Sequence, residues 1–450
     1  MRIHMVGIGG AGMSSIAEVL HKGGHEVAGS DLKESLNTQR LQDVGVPVYI
    51  GHAAHQIGDA EQVVISTAIP STNSELLEAQ RRGVPVVPRA AALARILSGG
   101  QKSVAIAGTH GKTTTTSMTT HALKNLGEDP TALIGGELND IGSNVVDGGR
   151  DLLIAEADES DGTLLYLKPQ AAVITNVEFD HPDFYASLDE VLEVFERFVE
   201  ALPSDGHLVT CADDPNCLEL AALAPCPVTT YGLSAGDLRA KILSPNLYAL
   251  VEDGEERGTV ELGVAGRHNA LNSLAAAGVA RWLGHDPYVA AASLESFSGV
   301  RRRFQLKGER FGVQIVDDYA HHPTELSATL EVARALRPPE GRVIAVFQPH
   351  RYSRTRALYR EFGEALTRAD TVFVTDVYGA GEMPQPGVSG KLVVDAVCEN
   401  PARPDVYYIP DQHNIPDVLR RLAEPKDTVL TMGAGDVSRV GDRLLSMLSS

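Results

Sequence analysis

Twice in this chain a short apolar run ends in a glycine-rich loop that opens directly into a helical pattern: "VGIGGAGMS" at residues 6–14 and "VAIAGTHGKTTTTSM" at residues 104–118. Continuous apolar runs of this kind, alternating with helices, belong to a parallel sheet covered on both faces. The alternation continues through "EVAGSD", "VPVYI", "QVVIST" and "VPVV", then "DLLIA", "AAVIT" and "GHLVT", then "RVIAVF", "DTVFVTD", "VYYIP" and "DTVLTMG". The chain therefore reads as α/β throughout. Its 450 residues exceed what one core supports, and three units are expected. The polar stretch "ALARILSGGQKS" and the run "SFSGVRRRFQ" mark the joins, giving units over residues 1–99, 100–298 and 299–450.

Charge narrows the partners. With 59 acidic against 39 basic side chains the formal charge is −20, and such a surface repels nucleic acid and anionic membranes. An anionic ligand must then be held by a local cluster of donors. Cys211, Cys217, Cys226 and Cys398 show no C-x-x-C spacing, which fits a reducing cytosol. No long apolar span suggests membrane insertion, and a cytoplasmic protein, monomer or homodimer, is expected.

The first loop satisfies G-x-G-x-x-G through Gly7, Gly9 and Gly12, which suits a diphosphate at a helix N-terminus. Asp31 closes the next run, where an acidic side chain meets a ribose in dinucleotide-binding folds. A plain tight turn is the alternative, and this loop alone does not identify the nucleotide. The second loop is a variant phosphate loop. Lys112 can reach terminal phosphates, the Thr113 hydroxyl can ligate Mg²⁺, and the N–H groups from Gly108 to Lys112 can cradle phosphate oxygens. Ile106 stands where the usual first glycine would fall. The run "TTTTSMTT" has poor helix propensity; a helix is expected from context, with Met118, Ala122 and Leu126 on one face.

Ligands of open parallel sheets bind beyond the carboxyl ends of the strands. There the chain carries Glu156, Asp158, Glu159 and Asp161 in one segment and Asn176, Glu178, Asp180 and His181 in another. An acidic cluster beside a phosphate loop suits magnesium, against the alternative of a solvated acidic loop. Asn269 and Asn272 in "GRHNALNS" could read a purine or cap a helix. "GVRRRFQ" concentrates three arginines, as phosphate contacts or as a solvated charge run. His350, Arg351 and Arg354 form a cationic cluster after "RVIAVF" suited to a carboxylate or phosphate, or to plain solvent.

Taken together, "GIGGAGMS", "GTHGKTTT", "EADESD", "TNVEFDH", "GRHNALN", "RRRFQ", "DDYAHHP", "QPHRYSRT" and "GAGEMPQPGVSG" resemble the Mur ligases of peptidoglycan synthesis over nearly the whole chain. The resemblance implies an N-terminal Rossmann-like UDP-binding domain, a central P-loop ATPase domain with a mainly parallel sheet, and a C-terminal Rossmann-like domain. It implies ATP on Gly108, Thr109, His110, Gly111, Lys112 and Thr114, and Mg²⁺ or Mn²⁺ on Thr113, Glu156 and His181. His268, Asn269 and Asn272 then look like adenine contacts, Arg303 a γ-phosphate contact and Asp318 a ribose contact. Gly9, Gly10, Ala11, Gly12, Met13 and Ser14, with Asp31, Ser66 and Thr67, look like the UDP-sugar site. Asn176 joins the substrate side, and Arg351 and Arg354, with His350 and His322 nearby, would orient the carboxylates. The implied substrates are UDP-N-acetylmuramate and L-alanine, joined through an acyl phosphate, with Lys112 and Arg303 stabilising transferred charge and His181 or His350 as candidate bases. Sister ligases carry a modified lysine beyond the histidine. This chain has no lysine between His181 and Pro203, which fits the alanine-adding branch and leaves Glu193 or Glu196 for a second metal. A peptide-attaching recycling ligase shares many of these motifs. A nicotinamide oxidoreductase would explain only the first loop, and a phosphate-loop switch only the second.

Overall fold

The computed structural model describes residues 1–450 except 67, 140–142, 161, 449 and 450, and gives only the backbone of Ala11. Thr67 and Asp161 thus lie outside the described residues. The apolar runs become three sheets, one per unit.

In the first sheet five parallel strands stand in the order Val48–Ile50, Glu26–Asp31, Arg2–Val6, Gln62–Ile65, Val86–Pro88. The winding reverses around Arg2–Val6, so a crevice opens at the end of that strand, where the loop Gly7–Gly10 begins. Close approach here depends on Gly29: a Cβ on it would lie 2.4 Å from the Met5 carbonyl oxygen and 2.6 Å from Ile8 Cδ1.

The central sheet has ten strands. At its middle, Lys102–Ala107 pairs in parallel with Gly149–Glu156 on one side and Ala171–Ile174 on the other. His207–Cys211 and Val228–Gly232 extend the parallel part. Leu238–Ser244, Leu247–Glu252 and Glu255–Glu261 add antiparallel hairpins at one end. Ser143–Val146 pairs antiparallel with Pro130–Leu138 at the other. The threonine-rich run forms the helix Lys112–Asn125 as expected. Three of its hydroxyls share acceptors with the backbone ladder. Thr116, Ser117 and Thr120 donate to the carbonyls four residues back, at 2.7–2.8 Å. Met118, Ala122 and Leu123 are fully buried, whereas Leu126 serves as the C-cap and is only partly buried against the core.

In the third unit the order is Gln305–Arg310, Val313–Asp318, Thr428–Met432, Val343–Phe347, Thr371–Val374, Asp405–Tyr408, with only the first strand antiparallel. Helices Pro323–Leu336, Tyr352–Leu366 and Gly390–Glu399 cover one face. Ile415–Leu422 and Ser438–Leu448 cover the other. Among the described residues no helix is long and apolar enough to cross a membrane.

Because Gly29 abuts backbone that cannot move without breaking the strand pair, Gly29→Ala should destabilise the first unit by roughly 1–3 kcal/mol. A urea titration followed by circular dichroism should show a lower midpoint, and an unchanged midpoint would mean the strands part at no cost.

Candidate active site

The phosphate loop is shaped by the strand beside it. Gly108 has φ +125°, and a Cβ there would sit 2.1 Å from Thr175 Oγ1. Gly111, at φ +80°, caps the helix beyond it. The loop is pinned by its neighbour segment. His110 N donates to Asn176 Oδ1 at 2.8 Å, while Thr175 Oγ1 and Asn176 Nδ2 donate to the His110 carbonyl at 2.6 and 3.1 Å. Asn176, expected on the substrate side, therefore serves first as a clamp on the loop backbone.

Lys112 Nζ donates to the carbonyls of Gly108 and Thr109 at 2.6 and 3.1 Å and to Glu159 Oε2 at 2.8 Å. Burial opposes its charge, but the carboxylates of Glu159 and Asp158 outweigh that and hold the amine protonated above the ordinary lysine range. Thr113 Oγ1 and the Gly135 N–H both donate to Glu156 Oε2, at 2.9 and 2.8 Å. A Cβ on Gly135 would lie 2.4 Å from that oxygen, so the carboxylate sits in a cradle only glycine leaves open. His181 adopts φ +56° and lines the same cavity as Glu156, but it groups with Asp158 and Glu159 rather than with Glu156, its Nε2 3.7 Å from Glu159 Oε1, a buried oxygen with no hydrogen-bond partner. Burial lowers the His181 imidazole and pushes the Glu159 carboxyl up to about 7.

Two adjoining cavities open from the loop. One, of about 590 Å³, is lined by Lys112, Thr113, Glu156, His181, Arg351 and Arg354 among others. The second, of about 520 Å³, is lined by Thr114, Asn176, His268, Asn269, Asn272 and Asp318 together with apolar Leu271, Phe297 and Phe304. His110, Gly111 and Arg303 line both. Burial, reinforced by nearby Arg303, lowers His268 to about 4, and burial pushes Asp318 up to about 6. The amides are partly committed within the protein: Asn269 Nδ2 donates to the Ala265 carbonyl at 2.7 Å, and Asn272 Oδ1 accepts from Thr115 Oγ1 at 3.1 Å.

The third unit docks on the segment after Ala171–Ile174 through charge. Fully buried Arg354 donates from Nε to Asp180 Oδ1 at 2.7 Å, and Arg351 pairs with Asp183. Thr324 Oγ1 donates to Glu178 Oε2 at 2.6 Å. Glu325 Oε1 lies 3.5 Å from His110 Nδ1 and 3.6 Å from Arg303. Burial, with the positive charges of His321, Arg354 and Arg351, lowers His350 to about 3.

Other expected residues fall elsewhere. His322 caps the helix Pro323–Leu336 and lines neither cavity, whereas its neighbour His321 lines the larger one. Gly9, Gly10, Gly12, Ser14, Asp31 and Ser66 gather around the crevice of the first sheet, with Gly9 N donating to Asp31 Oδ2 at 2.9 Å. They line neither cavity, although Asn37, which donates to the Gly9 carbonyl, lines the larger. The Met13 side chain is buried in the core. Glu193 and Glu196 are exposed and outside both cavities. Sequence reasoning missed Glu325 and Arg89. The first announces itself as the last residue of the cap "HPTE". The Arg89 Nη1 would stand 2.7 Å from a Cβ on Gly12, and its Nη2 donates to Thr163 Oγ1 at 3.3 Å, between the first loop and the acidic cluster.

Three family descriptions match in order: Mur ligase family, catalytic domain over residues 2–101, Mur ligase middle domain over 106–280, and Mur ligase, glutamate ligase domain over 302–435. The chain belongs to the Mur ligase family. This Mur ligase is 71% identical over 448 residues to the UDP-N-acetylmuramate–L-alanine ligase of Rubrobacter xylanophilus, covering 100% of each chain. It is 46% identical to that of Pelotomaculum thermopropionicum, over 99% of this chain and 97% of the relative. Among solved structures it resembles the UDP-N-acetylmuramate–alanine ligase of Thermotoga maritima, with a TM-score of 0.83 at 30% identity, covering 100% of this chain and 99% of the other. A murein peptide ligase from Psychrobacter arcticus shares the fold, with a TM-score of 0.74 at 23% identity over 100% of this chain and 99% of that one.

The docking charges of this Mur ligase titrate. Burial would raise Glu178, but the charge of His110 facing it at 3.4 Å dominates and holds it at about 2. That contribution is complete above its unperturbed value of 4.5 and is lost as pH falls towards 2. Burial opposes a charged His110, yet Glu178 and Glu325 raise it from 6.5 to about 9. Its contribution is complete below 6.5 and is lost as pH rises through 9. Docking of the third unit should therefore be tightest between the two windows. Small-angle scattering should show expansion on both sides, and a constant radius from neutral pH to beyond 9 would rule out the His110 contribution.

Proposed function

We propose that this Mur ligase joins L-alanine to the lactyl carboxylate of UDP-N-acetylmuramate through an acyl phosphate, converting ATP to ADP and phosphate. The observation that carries this is the 71% identity, end to end, to a UDP-N-acetylmuramate–L-alanine ligase. The convergence of a phosphate loop, an acidic cluster and two arginines on one cavity supports it. The reading divides the chain into units 1–99, 100–298 and 299–450 and sets the work in the cytoplasm, where ATP and sugar nucleotides are available.

In this reading the second cavity takes adenosine, with Asn269, Asn272 and His268 toward the base and Asp318 toward the ribose. The loop from Gly108 to Thr114 takes the phosphates where the cavities meet. Thr113, Glu156 and His181 fit Mg²⁺ or Mn²⁺: one carboxylate oxygen already gathers two donors in a glycine-lined cradle beside the phosphate loop. When bound, such an ion neutralises charge on the outer phosphate oxygens. The first sheet's crevice, with Gly9, Gly10, Ala11, Gly12, Ser14, Asp31 and Ser66, takes the UDP handle, and Arg89 beside Gly12 adds a cation to it.

A carboxylate does not yield its oxygen to an amine, so the acid must first be activated. The lactyl carboxylate oxygen attacks the γ-phosphorus in line and expels ADP, while Lys112 and Arg303 face the charge spread over the transferred group. The alanine nitrogen then attacks the acyl carbon, and the tetrahedral intermediate expels phosphate and leaves the amide. Arg351 and Arg354 hold the carboxylates of sugar and amino acid. Arg354 is itself held by Asp180, so its fork is fixed before substrate arrives. His350, at about 3, is too weak a base to take the ammonium proton. His181 cannot ligate a metal and accept that proton with the same nitrogen. Neither imidazole is therefore assigned as the base.

Phosphate release measured with ATP, UDP-N-acetylmuramate and single amino acids should be fastest with L-alanine, and release that ignores the amino acid would overturn the reading. Lys112→Ala should lower the rate about a hundredfold or more. With both oxygens of the muramate carboxylate carrying oxygen-18, one should leave in the released phosphate while the other stays in the amide; phosphate released without label would mean that no acyl phosphate forms.

A further inference from the structure

Where the phosphate loop meets the third unit, three segments bring one potential ligand atom each of His110, Glu178 and His322 within 4.8 Å of one another. Nε2 of His110 is 3.4 Å from the carboxylate oxygen, and Nδ1 of His322 is 3.7 Å from it. Bonds of about 2.0–2.1 Å at tetrahedral angles set ligand atoms about 3.3 Å apart, the spacing that zinc demands. The two edges to Glu178 are within a few tenths of an ångström of that spacing, and the edge between the imidazoles lies within 4.8 Å. His110 Nε2 is buried with no hydrogen-bond partner, and His322 is buried.

The far nitrogen of each ring is held as metal-binding imidazoles usually are, by a carboxylate or a carbonyl. His110 Nδ1 faces Glu325 Oε1 at 3.5 Å, and His322 Nε2 faces the Phe179 carbonyl at 3.3 Å. Glu178 is oriented by the Thr324 hydroxyl at 2.6 Å. The two rings lie 4.5 Å apart, tilted by 39°, and His322 Nδ1, which accepts from the Thr324 N–H at 3.4 Å as the helix cap, would exchange that N–H for the ion.

We propose that His110, Glu178 and His322 form a binding site for a zinc-class divalent cation, with a fourth position left to water. Two imidazoles and one carboxylate select zinc over magnesium, so the site is chemically distinct from Thr113, Glu156 and His181. The ion displaces the proton His110 would carry and sets a double charge before Glu178 and Glu325. It ties the phosphate loop to the helix cap of the third unit and holds that interface shut. If opening is needed for product release, bound zinc slows turnover.

The test uses the full chain with excess Mg²⁺, zinc being titrated against a chromophoric chelator without substrates. One equivalent is expected to bind, and Glu178→Gln and His322→Ala should each weaken it at least tenfold. Zinc should raise the thermal midpoint of the unmodified protein and of neither variant. Should a variant fold poorly, Co²⁺ in the unmodified protein decides: the visible bands of a tetrahedral nitrogen and oxygen site support the assignment. A thiolate charge-transfer band, pointing to exposed Cys398, overturns it. So does the absence of stoichiometric zinc under magnesium, or unchanged affinity in both variants. The readout is binding alone, so its failure would leave the ligase reading intact.

Discussion

Everything chemical in this protein hangs on the parallel pairing of one buried strand, Lys102–Ala107, with a neighbour on each side. The pairing fixes register, and register fixes which residues emerge beyond the last paired ones. The phosphate loop leaves the middle strand, Glu156 ends one neighbour, and Asn176 to His181 lie just past the other. Three segments distant in sequence are thereby brought to one sheet end without any loop having to find its own conformation. The loop then borrows its rigidity: Asn176 and Thr175 hold the His110 peptide from both sides. Ile106, where the usual phosphate-loop motif has glycine, is simply a core residue of that strand.

The second organising fact is electrostatic. A chain of charge −20 keeps its cations where anions must be handled, and each already has an acidic partner: Lys112 with Glu159, Arg303 with Glu325, Arg351 with Asp183, Arg354 with Asp180. An isolated buried charge would be costly, and pairing removes that cost. An incoming phosphate or carboxylate therefore exchanges partners with groups already in place. Since three of these pairs join the third unit to the central one or to the join between them, loading the site and arranging the units are one electrostatic event.

The strands and both nucleotide loops were legible because buried parallel strands are written as apolar runs and tight turns as glycines. The outermost strand of the central sheet was not, since "ERGTVE" carries a single large apolar residue, Val260, and pairs only with the antiparallel strand Leu247–Glu252 beside it. Glu156 could be chosen over its neighbours only through resemblance. Asp158 and Glu159 differ from it by one turn of loop, and spacing alone cannot say which oxygen meets Thr113. His322 was a site residue only through the resemblance, and the helix start at Pro323 makes it a cap instead. Arg89 carried no local signal. Its place between Gly12 and Thr163 exists only once the first and central units touch.

His181, Arg302, Phe304 and Arg351 are not glycines, yet each has φ between +44° and +68°, and all four border the cavities. A side chain in that conformation carries strain of order 1–3 kcal/mol. Glycine at these positions would relax the backbone while deleting an imidazole, two guanidinium groups and an aromatic wall. Selection for robustness alone would therefore erode the lips of this site before it touched the core. A thermostabilised descendant that kept its fold and lost its chemistry would most naturally arise here.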